Sequence, residues 1–284
     1  MTMLQIKAPA KINWALNITG RRSDGYHLLD MVMQTLDLHD DMTFEDAQDI
    51  TLSVDGIIPG DADKNLAVRA ARALNARAGT SHGVHIALKK RIPARAGLGG
   101  GSADCAATLR ALNALWGLHL SDAALMDIGA TLGADVPFCL SGGLCRVRGI
   151  GERIDPAPAA PEIPLVLVTP GGGLSTAEVF ALWDREGFPD VKLDAPALIG
   201  AVSSRRFDDI DRLCANALTA PAIRLMPEIG GLIMDMRRLG ARAAFMTGSG
   251  STVVGAFDDA KAARRAADAL PGALCTHTQS HPMR

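Results

Sequence analysis

The chain has 284 residues, 48% of them hydrophobic and 21% charged, with 29 Lys+Arg set against 31 Asp+Glu. That balance excludes a disordered chain, and the length fits one large domain or two ordinary ones. A formal net charge of −2 argues against a dedicated nucleic-acid binder, which needs a net basic surface.

Tyr26 is the only tyrosine, so stacking along a single strand has few platforms. No run approaches the roughly 20 apolar residues needed to cross a bilayer. The first residues enter a strand-like segment directly, without an apolar leader or a small-residue cleavage site. The five cysteines are an odd number at irregular spacing with no CxxC, which fits thiols in a reducing compartment. The expectation is a cytoplasmic globular protein with no membrane or nucleic-acid partner.

Short β-like runs come first, at residues 4–7, 12–18, 42–44 and 50–54, followed by an alanine-rich amphipathic helix over 65–78. Residues 83–90 alternate in strand fashion, with Val84, Ile86 and Leu88 on one face. A glycine-rich turn leads into a helix over about 102–116, and a second helix over 121–132 closes on Gly133. Four prolines (Pro156, Pro158, Pro161, Pro164) then forbid a continuous helix. They mark a division into residues 1–155 and 156–284, the alternative being a surface loop within one domain. Beyond it, a buried strand (165–169), a helix (176–184), a largely helical stretch to 239, strands near 242–246 and 252–257, a helix (258–270) and a short strand (273–277) complete the chain. Strands and helices are mixed without strict βαβ alternation, which predicts an α+β protein in two halves.

The strongest chemical signal is Pro93-Ala94-Arg95-Ala96-Gly97-Leu98-Gly99-Gly100-Gly101-Ser102-Ala103-Asp104. Four glycines in five positions let a ligand approach the backbone and permit positive φ. Ser102 and Asp104 can cap the helix that follows. A run of N–H groups feeding a helix N-terminus is an anion site, and the natural ligand is a nucleotide polyphosphate. Two better-known phosphate loops are excluded: Gly101, not Lys, precedes Ser102, and no G-x-G-x-x-G occurs.

A second glycine cluster, Met246-Thr247-Gly248-Ser249-Gly250-Ser251-Thr252, lies between two strand-like runs; an ordinary hairpin needs such residues, and they could equally bring backbone amides to phosphates from the other domain. A third, Gly171-Gly172-Gly173-Leu174-Ser175-Thr176, follows a strand and opens a helix, where a loop with an N-cap and ligand contact are equal readings. Lys11 and Asn13 share one face of a strand whose other face carries Ile12 and Trp14; a solvated edge is the bland account. Arg22-Ser23-Asp24-Gly25-Tyr26-His27 is a polar turn that ends in an aromatic and an imidazole, blandly a turn with a half-buried Tyr. Asp135 is a lone carboxylate between a helix end and Pro137, where an N-cap would serve equally. Cys275, His277 and His281 resemble a metal spacing but lack a second ligand pair.

Together these segments resemble the GHMP family of small-molecule kinases, whose three motifs would here be residues 8–13, 93–103 and 246–251, in the family's order. Pro9-Ala10-Lys11-Ile12-Asn13, Arg22-Ser23-Asp24-Gly25-Tyr26-His27, Gly97 to Asp104 and Leu132-Gly133-Ala134-Asp135-Val136-Pro137 carry the likeness; residues 156–242 resemble the family only loosely. The resemblance implies a GHMP-kinase-like fold, with a ribosomal-S5-domain-2-like N-terminal half and a ferredoxin-like C-terminal half. It implies transfer of the ATP γ-phosphoryl group to a hydroxyl of a cytidine-diphosphate-linked methylerythritol, the branch of the family it matches best.

Asp135 would then be the general base and Lys11 the cation that stabilises developing charge. Pro93, Ala94, Arg95, Ala96, Gly97, Leu98, Gly99, Gly100, Gly101, Ser102 and Ala103 would bind the phosphates, with Asn65 and Lys90 beside the adenine. Tyr26 and Phe180 would stack the cytosine, with His27 and Asn13 hydrogen-bonding around it. Two departures matter: Ala103 stands where this branch commonly has a second serine, and no acidic residue reads as a metal ligand, so Mg²⁺ is expected to arrive with ATP. Another member of the family, a nucleotide-binding sensor without turnover and an RNA-binding module are the competing readings, the last disfavoured by charge.

Overall fold

The computed structural model describes residues 3–55, 61–171, 173–189 and 191–279. They form two compact units that are interleaved along the chain. The first is Met1–Ala10, Leu38–Ile92 and Gly99–Ser141, and the second is Lys11–Asp37, Pro93–Leu98 and Gly142–Arg284. These units are cut differently from a division at 155/156. The prolines of that stretch close one strand at Pro156 and open another at Pro164, with an extended connection between them.

Two long strands, β1 (Met3–Arg21) and β2 (His27–Ala47), contribute residues to both units. They replace the short runs expected at 4–7, 12–18 and 42–44. The reason is burial on both faces: Met31, Val32 and Met33 are consecutive and all buried, so no period-2 alternation marks the strand.

In the first unit, the far half of β2 pairs antiparallel with β4 (Gly83–Lys89), from Asp41 opposite Lys89 to Ala47 opposite Gly83; β3 (Ile50–Val54) lies parallel to β4 on its other side. The β3–β4 crossover contains α1 (Leu66–Ala78). Asn65 Oδ1 caps α1 by accepting the Ala67 N–H at 2.9 Å, and Gly79, at φ 68°, ends it. Between those signals Ala67, Val68, Ala70, Ala71 and Leu74 form the buried face.

Helix α2 (Gly100–Leu115) packs against α1 and against α4 (Val136–Ser141), and α3 (Asp122–Leu132) packs against α4. Helix α2 starts at Gly100, so Ser102 and Asp104 lie inside its opening turns and do not cap it. Most of its next residues, from Ala103 to Leu112, are buried, and their small side chains allow neighbouring helices to approach closely. Gly133 ends α3, as its sequence predicts.

In the second unit, the near half of β2 pairs with β5 (Leu144–Gly149), which pairs with β6 (Arg153–Pro156); neither β5 nor β6 was marked by an apolar alternation. A four-stranded antiparallel sheet follows, built from β7 (Pro164–Val168), β8 (Ala243–Met246), β9 (Val253–Ala256) and β10 (Leu274–His277). Its order, β10-β7-β9-β8, is the ferredoxin-like one. The largely helical stretch resolves into α5 (Thr176–Glu186), α6 (Ala195–Ser203), α7 (Phe207–Leu213), α8 (Thr219–Leu225) and α9 (Glu228–Arg238). Helix α10 (Ala260–Asp268) leads into β10. Trp14 anchors this core, with its ring 5.3 Å from that of Phe245 and its Nε1 donating to Gln34 Oε1 at 2.8 Å. No helix among the described residues is long and apolar enough to cross a membrane.

Candidate active site

The second unit holds the first part of the glycine-rich segment, residues Pro93, Ala94, Arg95, Ala96, Gly97 and Leu98. It is fastened at two points: the Lys11 N–H donates to Leu98 O at 3.0 Å and the Thr252 N–H to Ala96 O at 3.3 Å. Gly97 has φ 77°, and a Cβ there would lie 2.6 Å from Thr247 O. Only glycine meets both conditions. The Thr247–Ser251 cluster is therefore both the β8–β9 hairpin and the seat of Gly97. Asn216 Nδ2 holds it by donating to Met246 O and Gly248 O, at 3.0 and 2.8 Å. In the third cluster Gly172 lies outside the described residues, while Gly173 backs onto Arg95, whose carbonyl would be 2.4 Å from a Cβ.

Lys11 and Asn13 are buried, at 4% and 1% exposure, which overturns the solvated-edge account of this strand. The Lys11 Nζ donates to Asn13 Oδ1 at 2.9 Å, and the Asn13 N–H donates to Thr247 Oγ1 at 2.8 Å. Burying an ammonium is costly unless it is paired or hydrogen-bonded.

The same unit contains an aromatic cluster at the β1–β2 turn. His27 stacks on Phe180 of α5 (ring centroids 4.6 Å apart, 24° between planes) and meets Trp183 edge-on at 5.9 Å. His27 Nε2 is 2.7 Å from Asp184 Oδ1, and Arg21 lies 3.4 Å from the other oxygen of that carboxylate. Tyr26 is 62% exposed, not half-buried: Gly25, at φ 93°, turns the chain so that the phenol projects outward. Trp183 and Asp184 carry no motif; their signal is the helical spacing from Phe180, which places Asp184 one turn along the same face.

The first unit holds the second part of the glycine segment. Gly99, at φ 70°, precedes α2, and no side chain caps that N-terminus. Gly100, Gly101 and Ser102 thus open a helix whose first amides have no intrahelical acceptor. Three other elements converge on this turn. A Cβ on Gly101 would stand 3.5 Å from Leu66, the residue after Asn65; one on Gly100 would stand 3.1 Å from Ile92 and 3.5 Å from Lys90 Nζ. A Cβ on Gly133 would stand 3.7 Å from Ser102 Oγ, which brings the α3–α4 turn carrying half-buried Asp135 to the head of α2. Ala103 is 1% exposed, so a serine there would bury its hydroxyl.

Gly100→Val forces its branches onto Ile92 and the Lys90 ammonium. It is expected to weaken the hold of this turn on a nucleoside triphosphate about tenfold or more. Binding titration of ATP against the variant and the parent checks this; an unchanged affinity would place the phosphates elsewhere.

Residues 65–143 match the GHMP kinases N terminal domain and residues 198–275 match the GHMP kinases C terminal. The chain belongs to the GHMP kinases, a family of ATP-dependent kinases. Within that family it is 43% identical, over 92% of its length and 91% of the other's, to the 4-diphosphocytidyl-2-C-methyl-D-erythritol kinase of Pelotomaculum thermopropionicum. It is 42% identical to the same-named kinase of Moorella thermoacetica, over 98% of this chain and 100% of that one. A crystal structure of 4-(cytidine 5'-diphospho)-2C-methyl-D-erythritol kinase superposes with a TM-score of 0.84 at 37% identity, covering 97% of this chain and 99% of the other. The α+β architecture and the ferredoxin-like second sheet accord with that membership.

Proposed function

We propose that this chain transfers the γ-phosphoryl group of ATP to the 2-hydroxyl of 4-diphosphocytidyl-2-C-methyl-D-erythritol, a step of non-mevalonate isoprenoid precursor synthesis. The observation that carries the reading is the identity of 43% over 92% of the chain to a kinase of that name. The packing of the Asp135 turn against Ser102 at the head of α2 supports it.

In this reading the Asp135 carboxylate takes the proton from the acceptor hydroxyl as its oxygen attacks the γ-phosphorus. The bond from that phosphorus to the β–γ bridging oxygen breaks, and ADP leaves with the electron pair. Lys11 stabilises the charge that builds on the transferring oxygens. The transfer needs alignment and charge stabilisation more than covalent chemistry, which suits a turn of backbone amides and one buried ammonium. Residues 93–103 bind the triphosphate, with Asn65 and Lys90 as neighbours of the adenine side.

Among the described residues no group of three or more His, Cys, Asp or Glu side chains forms a cation cage. A Mg²⁺ brought by ATP would be held through phosphate oxygens and water, where it would neutralise phosphate charge. The division into residues 1–155 and 156–284 remains part of the proposal, supported by the four prolines between Pro156 and Pro164. A cytoplasmic site of action is supported by five cysteines that form no disulfide.

Tyr26, Phe180, His27 and Asn13 are assigned to the cytosine. Tyr26→Ala gives the sharpest check on this assignment, because a side chain 62% exposed contributes little to the fold. The variant is expected to keep its melting temperature while the KM for the cytidine-linked alcohol rises about tenfold, the scale of one lost base–aromatic stack. The reaction itself is tested by ADP release with Mg-ATP and, in parallel, the cytidine-linked alcohol, homoserine and mevalonate. Turnover confined to the first is the expected result. Turnover with another alcohol would overturn the substrate, and ATP binding without turnover on any of them would favour a sensor.

A further inference from the structure

Beneath the head of α2, the first unit buries two carboxylates around one ammonium. Asp40, on β2, is fully buried and accepts three donors: the Arg91 N–H at 2.5 Å and the Ile92 N–H at 2.8 Å on Oδ1, and Lys90 Nζ at 2.5 Å on Oδ2. Lys90 Nζ also donates to Asp104 Oδ2 at 2.7 Å. Asp104 is 3% exposed, and its Oδ1 has no hydrogen-bond partner among the described residues. The ammonium sits where a Cβ on Gly100 would be 3.5 Å away. Two of its three N–H bonds are thereby committed to carboxylates, and only one is left for anything else.

We propose that Lys90 is a positioning residue, clamped by Asp40 and Asp104 so that it ties the opening turn of α2 to the β2–β4 edge and sets where the Gly99–Ser102 amides meet the triphosphate. Lys90 then acts on the nucleotide through the turn. This rests on the reading of that turn as the phosphate cradle. The covalent layout supports it: Asp40 fixes the backbone of Arg91 and Ile92 immediately before the glycine segment, and Asp104 holds the helix immediately after it.

The charge states fit the same arrangement. Burial alone would lower the Lys90 pKa, but attraction to Asp104 and Asp40 outweighs it and leaves the ammonium firmly charged. Burial pushes Asp104 up to about 7 against the pull of Lys90, and the nearby Asp40 carboxylate adds to the rise. Burial makes the Asp104 carboxyl harder to ionise than an exposed one, and an asparagine there keeps the acceptor that Lys90 uses.

The test is steady-state kinetics on the whole chain with Lys90→Met, Asp104→Ala, Asp104→Asn and the double variant Lys90→Met/Asp104→Ala. Each of the first two is expected to raise the ATP KM about tenfold, with the KM of the cytidine-linked alcohol within about twofold. The double variant should be no worse than the poorer single one, since both break one tether. Asp104→Asn should recover most of what Asp104→Ala loses. If Asp104→Ala does not fold, Asp40→Asn takes its place, with the same expected rise.

A normal ATP KM in Asp104→Ala beside a raised one in Lys90→Met would overturn the proposal and make Lys90 a direct ligand. Additive losses, or equal rises in both KM values, would overturn it too. Gly100→Val run alongside separates the two ideas. If that variant binds ATP normally, the cradle reading fails and the proposal with it. If it is impaired while the Asp104 variants are not, only the positioning role fails.

Discussion

Asp135→Asn is expected to bind ATP with a KM within about threefold of the parent while turnover falls by about 10²–10⁴-fold, the usual worth of a positioned general base. The substitution is nearly isosteric, so it tests chemistry and not shape. The backbone contact that starts α4, the Cys139 N–H donating to the Asp135 carbonyl at 3.0 Å, is the same with either side chain. Two further backbone bonds hold the turn whichever side chain is present: the Gly133 amide donates to Gly129 O and the Val136 amide to Gly133 O. An amide cannot take the hydroxyl proton, however, so the loss should fall on kcat and on kcat/KM equally. Single-turnover measurements at saturating ATP read that step directly. Turnover within about threefold of the parent would remove Asp135 as the base and leave it as part of the α3–α4 turn.

Much of the architecture could be read along the chain because local signals agreed with the fold. Helix α1 has Asn65 before it, Gly79 after it and an apolar stripe between, and β4 alternates cleanly over Val84, Ile86 and Leu88. The glycine segment was equally plain, since no packing demand other than close backbone approach explains Gly97. Long strands were not plain, because residues such as Met31, Val32 and Met33 are covered on both sides and lose the alternation that burial on one face creates. What no local pattern carries is pairing across the chain. Asp40 lies 50 residues from Lys90, and Asp184 lies 157 residues from His27. The sequence marks Asp104 as a helix cap, whereas its carboxyl in fact serves Lys90 from inside α2. Lys11 shows the same limit: the strand pattern puts it beside Asn13 but is silent on whether that face meets water or protein.

That burial makes Lys11 the second large effect. Lys11→Met keeps the aliphatic stem and removes the charge, and it is expected to lower kcat by about 10²–10³-fold, the scale of one lost electrostatic donor to a transition state. The ATP KM should move far less, because charge that develops only in the transition state contributes little to ground-state binding. A structural loss is the rival explanation, since Lys11 Nζ hydrogen-bonds Asn13 Oδ1 at 2.9 Å inside the second unit. Removing the donor from a buried acceptor costs about 1–3 kcal/mol, so Lys11→Met should also lower the melting temperature. Asn13→Ala separates the two effects: it breaks the same hydrogen bond but leaves the ammonium in place. If the role is electrostatic, Asn13→Ala, which also loses the Asn13 Nδ2 contact to Met31 Sδ, lowers the melting temperature at least as much yet retains far more turnover when the cytidine-linked alcohol is saturating. Equal losses of kcat in both variants would assign Lys11 to the strand's structure, and a pure rise in ATP KM would assign it to binding.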